Sequence, residues 1–331
     1  MRVLVAGGAG YIGSHTCKAL AQAGHTPIVY DNLHTGHAWA VKWGPLERGD
    51  LNDRSALDGV MRRHRPDAVI NFAALAYVGE SMNEPTLYYR VNVAGMITLL
   101  EAMRAHDVGS IVFSSSCATY GTPERLPIVE TMVQCPINPY GRSKLMAEEI
   151  LRDACAAHGL GAVALRYFNA AGADPDGELG EEHEPETHLI PLVLQTALGR
   201  RPSIAVFGTD YETPDGTCIR DYVHVTDLAA AHVAALSACP AGRFAAYNLG
   251  SGRGASINDV IACARKITGK PIATVPEARR AGDPAVLVAD ASLAGTALKW
   301  SPRHSELGEV IGHAWKWMSE HRARVMPPNG R

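Results

Sequence analysis

The chain has 331 residues, 47% hydrophobic and 20% charged, with a net charge of −3. This length exceeds one typical core and suits two lobes, and the dispersed Lys and Arg residues exclude a block for binding nucleic acid. The first apolar residues run straight into glycines, leaving no room for a signal peptide, and no apolar run approaches the ~18 residues of a membrane span, so a cytoplasmic protein with neither nucleic-acid nor membrane partner is expected.

Val3-Leu4-Val5 reads as a first strand and Ser14 to Ala23 as the helix after it, with Gly7-Gly8-Ala9-Gly10-Tyr11-Ile12-Gly13 between them. Thr26 to Tyr30 is a second strand. A helix near Arg54 to His64, a strand at Ala68 to Phe72, a long helix near Pro85 to Ala105 and a strand at Ser110 to Ser114 continue the alternation. The basic run Arg62-Arg63-His64-Arg65 falls at a solvated helix end. Asn138-Pro139 supplies a cap and a first-turn proline for a helix carrying Tyr140, and Ala162 to Arg166 is the next strand. Such alternation predicts an α/β, Rossmann-type doubly wound parallel sheet. From Ala170 to Glu186 the composition is that of a loop, followed by helices near His188 to Gly199, Val225 to Ser237 and Ile257 to Thr268. The division expected is residues 1–169 for the nucleotide and a smaller α/β lobe, 170–331, for the substrate, with the chain free to cross back.

Seven cysteines, at 17, 117, 135, 155, 218, 239 and 263, form no Cys-x-x-Cys pair and are expected to be reduced. Fourteen histidines show neither His-x-x-x-His nor His-Glu-x-x-His spacing, so no metal site is expected.

The glycine run sits where a strand turns into a helix, the context in which Gly7, Gly10 and Gly13 let backbone approach a pyrophosphate at the helix N-terminus. Asp31 ends the second strand, where a carboxylate would bind the adenosine ribose hydroxyls and repel a 2′-phosphate, favouring NAD over NADP. Asp50-Leu51 either meets the adenine or makes a turn. Ser114-Ser115-Ser116 closes a strand at the ligand-binding edge of the sheet. Tyr140 and Lys144 stand one helical turn apart, so the ammonium is expected to bias the phenol toward phenolate while Ser116 shares the substrate proton. A Tyr-x-x-x-Lys pair alone is a frequent coincidence. Glycine loop, Asp31, Ser116, Tyr140 and Lys144 in this order carry the assignment together.

With these motifs, the chain resembles the extended short-chain dehydrogenase/reductase family and, within it, the nucleotide-sugar 4-epimerases acting on UDP-glucose and UDP-galactose. The resemblance rests on Gly7 to Ser14-His15, Asp31-Asn32, Val78-Gly79-Glu80-Ser81, Ser114 to Ser116, Asn138 to Lys144, Arg166-Tyr167-Phe168-Asn169, Asp215 to Tyr222 and Gly282-Asp283. It implies tightly bound NAD, a homodimer, and reversible inversion at C4 of a UDP-hexose through a 4-keto sugar. It further implies cofactor contacts from Tyr11, Ile12, Asn32, Phe72, Asn92, Ser114 and Phe168, and substrate contacts from Asn169, His188, Leu189, Arg220, Arg280, Asp283 and Leu287. Ala6, Ala76, Ala118 and His188 depart from residues common in the family, and Leu287 occupies the position that limits sugar size. Related dehydratases carry Asp-Glu after the serine; here Cys117-Ala118-Thr119 follows, leaving no carboxylate to drive elimination. A UDP-xylose/UDP-arabinose epimerase and a non-catalytic NAD-binding protein remain open as alternatives, as does an Arg220–Asp221 salt bridge in place of a phosphate contact.

Overall fold

The computed structural model describes residues 1–280 and 283–325; Gly282 of the Gly282-Asp283 motif lies outside the described residues. In chain order the strands are β1 (Arg2–Ala6), β2 (Thr26–Asp31), β3 (Leu46–Arg48), β4 (Ala68–Asn71), β5 (Ser110–Ser116), β6 (Gly161–Tyr167), β7 (Asn169–Ala171), β8 (Ile204–Phe207), β9 (Ile219–His224), β10 (Phe244–Leu249), β11 (Gly254–Ser256), β12 (Thr274–Glu277) and β13 (Val286–Leu287). Seven of them form a parallel sheet ordered β10-β6-β5-β4-β1-β2-β3. The order reverses between β1 and β4, and in such sheets ligands bind at the carboxyl ends beside that reversal.

Residue alternation explains why the sheet is covered twice. Val3, Val5, Ile70, Val112 and Val163 point to one face, where Cys17 and Leu20 of helix Tyr11–Gln22 and Leu228 and Ala231 of helix Val225–Ser237 meet them. Leu4, Val69, Ile111, Phe113 and Ala162 point to the other, against Leu57, Leu99 and Leu151 from helices Arg54–His64, Gly95–Ala105 and Pro139–His158. Strands buried on both faces read as continuous apolar runs, as these do.

The long helix expected over Pro85 to Ala105 is continuous but not uniform. A π turn at Tyr89–Ala94 separates helix Pro85–Tyr88 from Gly95–Ala105. Such turns add one residue to the helical ladder and recur at functional sites.

Beyond Asn169 the chain builds two small sheets, β11-β9-β13 with β7 on β9, and β12-β8. Their core is Ile190, Val193, Leu194, Val260, Ile261, Val310 and Ile311. Between those sheets the chain returns to the central sheet, where β10 pairs with β6 along its length. All seven cysteines are free, and no helix among the described residues is long and apolar enough to cross a membrane.

Candidate active site

At the end of β1 the chain turns through Gly7, whose φ of +76° places it in the left-handed region that favours glycine. A Cβ there would meet the backbone nitrogen of Ala73 at 2.6 Å, so β1 and the segment after β4 close on each other only because the side chain is absent. Gly13 is tighter: its Cβ would lie 2.2 Å from the Gly7 carbonyl oxygen. Gly10, by contrast, has only that carbonyl within reach, at 3.4 Å, and it opens helix Tyr11–Gln22 without a side-chain cap. The first amides of that helix, at Tyr11, Ile12 and Gly13, therefore lack intrahelical acceptors on the open side of the turn, the arrangement that accommodates a pyrophosphate. Asp31 is buried and accepts hydrogen bonds from Ala9 N at 3.0 Å and Leu33 N at 2.8 Å. Burial raises its pKa against those two bonds, and its remaining lone pairs are free for ribose hydroxyls. These features fit a dinucleotide.

Asp50 makes a turn, accepting from Asn52 N at 2.9 Å, and it also accepts from the Asn32 side-chain amide at 2.8 Å. Leu51 is buried in the core beside Gly95. Phe72 follows β4 and stacks obliquely on His232, with ring centroids 4.5 Å apart. Asn92, in the π turn, donates to the Leu75 carbonyl and accepts from Leu75 N, and it donates to Ser143 Oγ at 2.9 Å. Its amide thus braces the loop after β4 against the helix bearing Tyr140. Phe168 is buried after β6, and the Tyr11 hydroxyl donates to the Gly172 carbonyl at 2.7 Å.

Helix Pro139–His158 starts as expected, with the Asn138 side chain accepting from Gly141 N at 2.8 Å. That start aims Tyr140 and Lys144 at the end of β5. The Ser116 side chain lies beside the Tyr140 phenol, and its Oγ accepts from Ala118 N at 3.1 Å. Burial pushes the Tyr140 phenol above its ordinary pKa, Tyr167 adds to the rise, and the Ser116 hydroxyl opposes it. Lys144 Nζ donates to the Ser114 carbonyl at 2.8 Å and stands 5.9 Å from the Tyr140 ring centre. Burial lowers Lys144 itself to about 7. Desolvation is the largest cause of both shifts, and it works against the charged form of each group. Ser114 Oγ and the Tyr167 hydroxyl lie 2.6 Å apart beside them.

On the far side, Arg220 of β9 pairs with Asp283 at 2.9 Å rather than with its neighbour Asp221. Asp221 is instead buried, accepting from Ser251 N at 2.8 Å and Ala289 N at 3.2 Å. Arg280 lies over the Phe207 ring at 4.0 Å, Leu287 sits half-buried in β13, and Asn169 opens β7. His188 is the residue before helix Leu189–Ala197, and the carboxylates of Glu181 and Glu186 outweigh its desolvation and raise it to about 10.

Two groups escaped the motif search. Glu148, fully buried one turn beyond Lys144, accepts from Arg166 Nε at 2.9 Å and Nη2 at 2.6 Å and from Ser115 Oγ at 2.6 Å. An arginine in the otherwise apolar β6 was the available signal for it. Glu181, His183, Glu186 and His188 form a second cluster, and their uneven spacing matches no metal motif.

A reversed parallel sheet, a glycine turn closing onto it and a Tyr-x-x-x-Lys helix beside a strand-end serine define an NAD-dependent enzyme acting on an alcohol carbon. The model of the NAD dependent epimerase/dehydratase family matches residues 3–250, and the chain belongs to that family. A UDP-glucose 4-epimerase of Rhizobium meliloti (strain 1021) is 50% identical over 318 residues, 96% of this chain and 97% of its own length. Among solved structures, UDP-glucose 4-epimerase from Brucella ovis in complex with NAD is 55% identical, with a TM-score of 0.92 and coverage of 95% of this chain and 97% of that one. The Bifidobacterium longum UDP-glucose 4-epimerase in complex with NAD⁺ and UDP is 38% identical, with a TM-score of 0.93 and full coverage, 100%, of both chains.

Proposed function

We propose that this chain interconverts UDP-glucose and UDP-galactose by inverting the sugar at C4, working as a homodimer in cytoplasmic galactose metabolism. The observation that carries the reading is the placing of Tyr140 and Lys144 at the end of β5, both buried with Ser116 and with Lys144 held on the Ser114 carbonyl, while Cys117-Ala118-Thr119 follows the serine without a carboxylate to drive elimination. Bound NAD⁺ supplies the acceptor for the C4 hydride and, reduced, its donor. Tyr140 takes the proton of the 4-hydroxyl, Ser116 holds that oxygen in line, and Tyr140 later returns a proton to the ketose oxygen. Lys144 holds the nicotinamide ribose, while Gly7, Gly10, Gly13, Asp31, Asn32 and Phe72 seat the rest of the dinucleotide. The ketose must turn over between the two transfers, so the UDP end has to stay fixed. Asn169, Leu189, Arg220, Arg280 and Asp283 are its anchors, and charge on the two arginines meets the diphosphate.

For the lobes, residues 1–169 together with the returning β10 hold the cofactor, and most of 170–331 holds the sugar nucleotide. Met82, Leu87, Ile97 and Met146, exposed on helices around Pro85–Ala105 and Pro139–His158, are apolar surface suited to a second subunit. Seven free thiols fit a reducing compartment. Leu287, larger than a Cys or Ser, favours plain hexoses over N-acetylated ones.

The test uses the purified protein as it stands. Incubation with UDP-galactose and no added cofactor is expected to yield UDP-glucose, and denaturation is expected to release NAD. Conversion only with added NAD and accumulation of a ketose would refute the reading. UDP-arabinose, assayed in parallel, is expected to turn over more slowly.

A further inference from the structure

Four side chains from one short stretch of loop converge where the proposed reaction makes no use of a metal. Glu181, His183, Glu186 and His188 each offer one ligand atom, and these atoms lie within 4.8 Å of one another. The two glutamate side chains are only 7% and 6% exposed, His183 16%, whereas His188 is 43% exposed, so the cluster is closed except on the His188 side. Two carboxylates buried side by side repel each other and require positive charge between them.

Ion pairing accounts for His188, whose Nδ1 stands 2.9 Å from Glu181 Oε1 and 2.8 Å from Glu186 Oε1. His183 is paired with the same two carboxylates, but more loosely. That Nδ1 is buried and makes no hydrogen bond, although Glu181 Oε1 is 3.3 Å and Glu186 Oε2 3.6 Å away. Charge-assisted N–H···O bonds run about 2.7–2.9 Å, shorter than either distance. Ligands bound at about 2.0–2.1 Å to a tetrahedral zinc ion are separated by about 3.3–3.4 Å, a spacing met by the 3.3 Å from His183 to Glu181 and exceeded by about 0.2–0.3 Å in the 3.6 Å to Glu186. The contacts at His188 would lengthen by about 0.5 Å to match.

Other potential ligand groups among the described residues are already engaged. Lys18 Nζ fills the Asp174–Asp176–Glu178 group at 2.7–2.8 Å. His313 is hydrogen-bonded to His224 at 3.0 Å and His304 to Glu309 at 2.7 Å.

We propose that Glu181, His183, Glu186 and His188 form a tetrahedral zinc site. Two imidazole nitrogens and two carboxylate oxygens suit zinc, whereas magnesium and calcium take oxygen ligands. The site staples the loop to the nucleotide lobe: the His183 ring lies edge-on to Tyr11 and Tyr77, 6.3 Å from each, and Tyr11 begins the helix after the glycine turn. His188 also precedes helix Leu189–Ala197, so the ion would fix where that helix starts.

The test is metal content, which is independent of whether the sugar reaction occurs. Full-length protein is stripped with chelator, loaded with zinc, freed of excess and analysed by plasma mass spectrometry, with a cobalt-loaded sample examined by visible absorption. Expected are stoichiometric zinc, the intense d–d bands of four-coordinate cobalt, and a higher melting temperature for loaded than for stripped protein. The His183→Ala/His188→Ala variant is expected to lose the zinc while keeping its NAD. Trace zinc in the wild type, six-coordinate cobalt bands, identical melting of loaded and stripped protein, or undiminished zinc in the double variant would each overturn the site. The wild-type cobalt spectrum decides the matter even if the variant fails to fold.

Discussion

Glu148 offers the sharpest test of how the active-site helix is held. Its side chain is 0% and that of Arg166 2% exposed, and two hydrogen bonds join them, at 2.9 and 2.6 Å. Arg166 also donates to the Tyr120 hydroxyl at 2.8 Å, and Tyr120 donates to Asn248 of β10 at 2.7 Å. Glu148→Leu leaves the guanidinium buried without its counter-charge, and Ser115 Oγ loses its acceptor. Breaking a buried pair from one side costs about 3–5 kcal/mol, whereas replacing both members with apolar side chains is close to neutral. With a urea m value of about 3 kcal/mol/M, the single variant should lose about 1–1.7 M in midpoint. Glu148→Leu/Arg166→Met should recover most of that. The assay is urea unfolding followed by circular dichroism, with bound NAD measured alongside. A single-variant midpoint within about 0.2 M of wild type, or a double variant no better than the single, would refute the reasoning.

Three further outcomes are expected. Tyr140→Phe should keep fold and NAD but lower turnover by roughly 10²–10⁴-fold, and near-normal turnover would remove Tyr140 as the proton-transfer group. Lys144, lowered to about 7 by burial, binds fewer protons in the native than in the unfolded state between there and the free value of 10.5. Its penalty is therefore full below about pH 7 and relieved as pH rises toward 10.5, so NAD-free protein should gain stability across that window. Denaturant midpoints of Lys144→Met against pH should lack that rise; parallel profiles would contradict it. Gly13→Ala puts a methyl group 2.2 Å from the Gly7 carbonyl oxygen, a backbone contact that only opening of the turn relieves. The variant should purify without NAD, and a stoichiometric complement would show the turn to be more pliant than its geometry implies.

Local signals located much of this molecule. Helices Arg54–His64, Val225–Ser237 and Ile257–Thr268 begin where their sequences indicate, because Asp53, His224 and Ser256 each cap the first turn. The glycine turn was legible because close backbone approach leaves glycine as its only residue. What sequence spacing did not reveal depends on partners distant in the chain. Arg220 could choose between Asp221 and Asp283, and only the placement of β13 beside β9 decides for the latter. Nothing in residues 85–105 distinguishes a π turn from an α turn, since the extra residue is set by Asn92 reaching Leu75 and Ser143. The spacing of Tyr140 and Lys144 was legible, but the burial that dominates both of their ionisations was not.

The return of β10 to β6 bears on how the protein is made. Until residue 249 has been synthesised, β6 is the open edge of the sheet, with its backbone groups from Gly161 to Tyr167 unpaired on one side. The half of the molecule that emerges first from the ribosome thus waits for chain contributed by the half that follows, and a fragment ending near Asn169 would present a sticky margin to its neighbours. Closing the central sheet and building the second half of the chain are consequently stages of one assembly, and recombining the two halves between relatives at that boundary would divide a sheet.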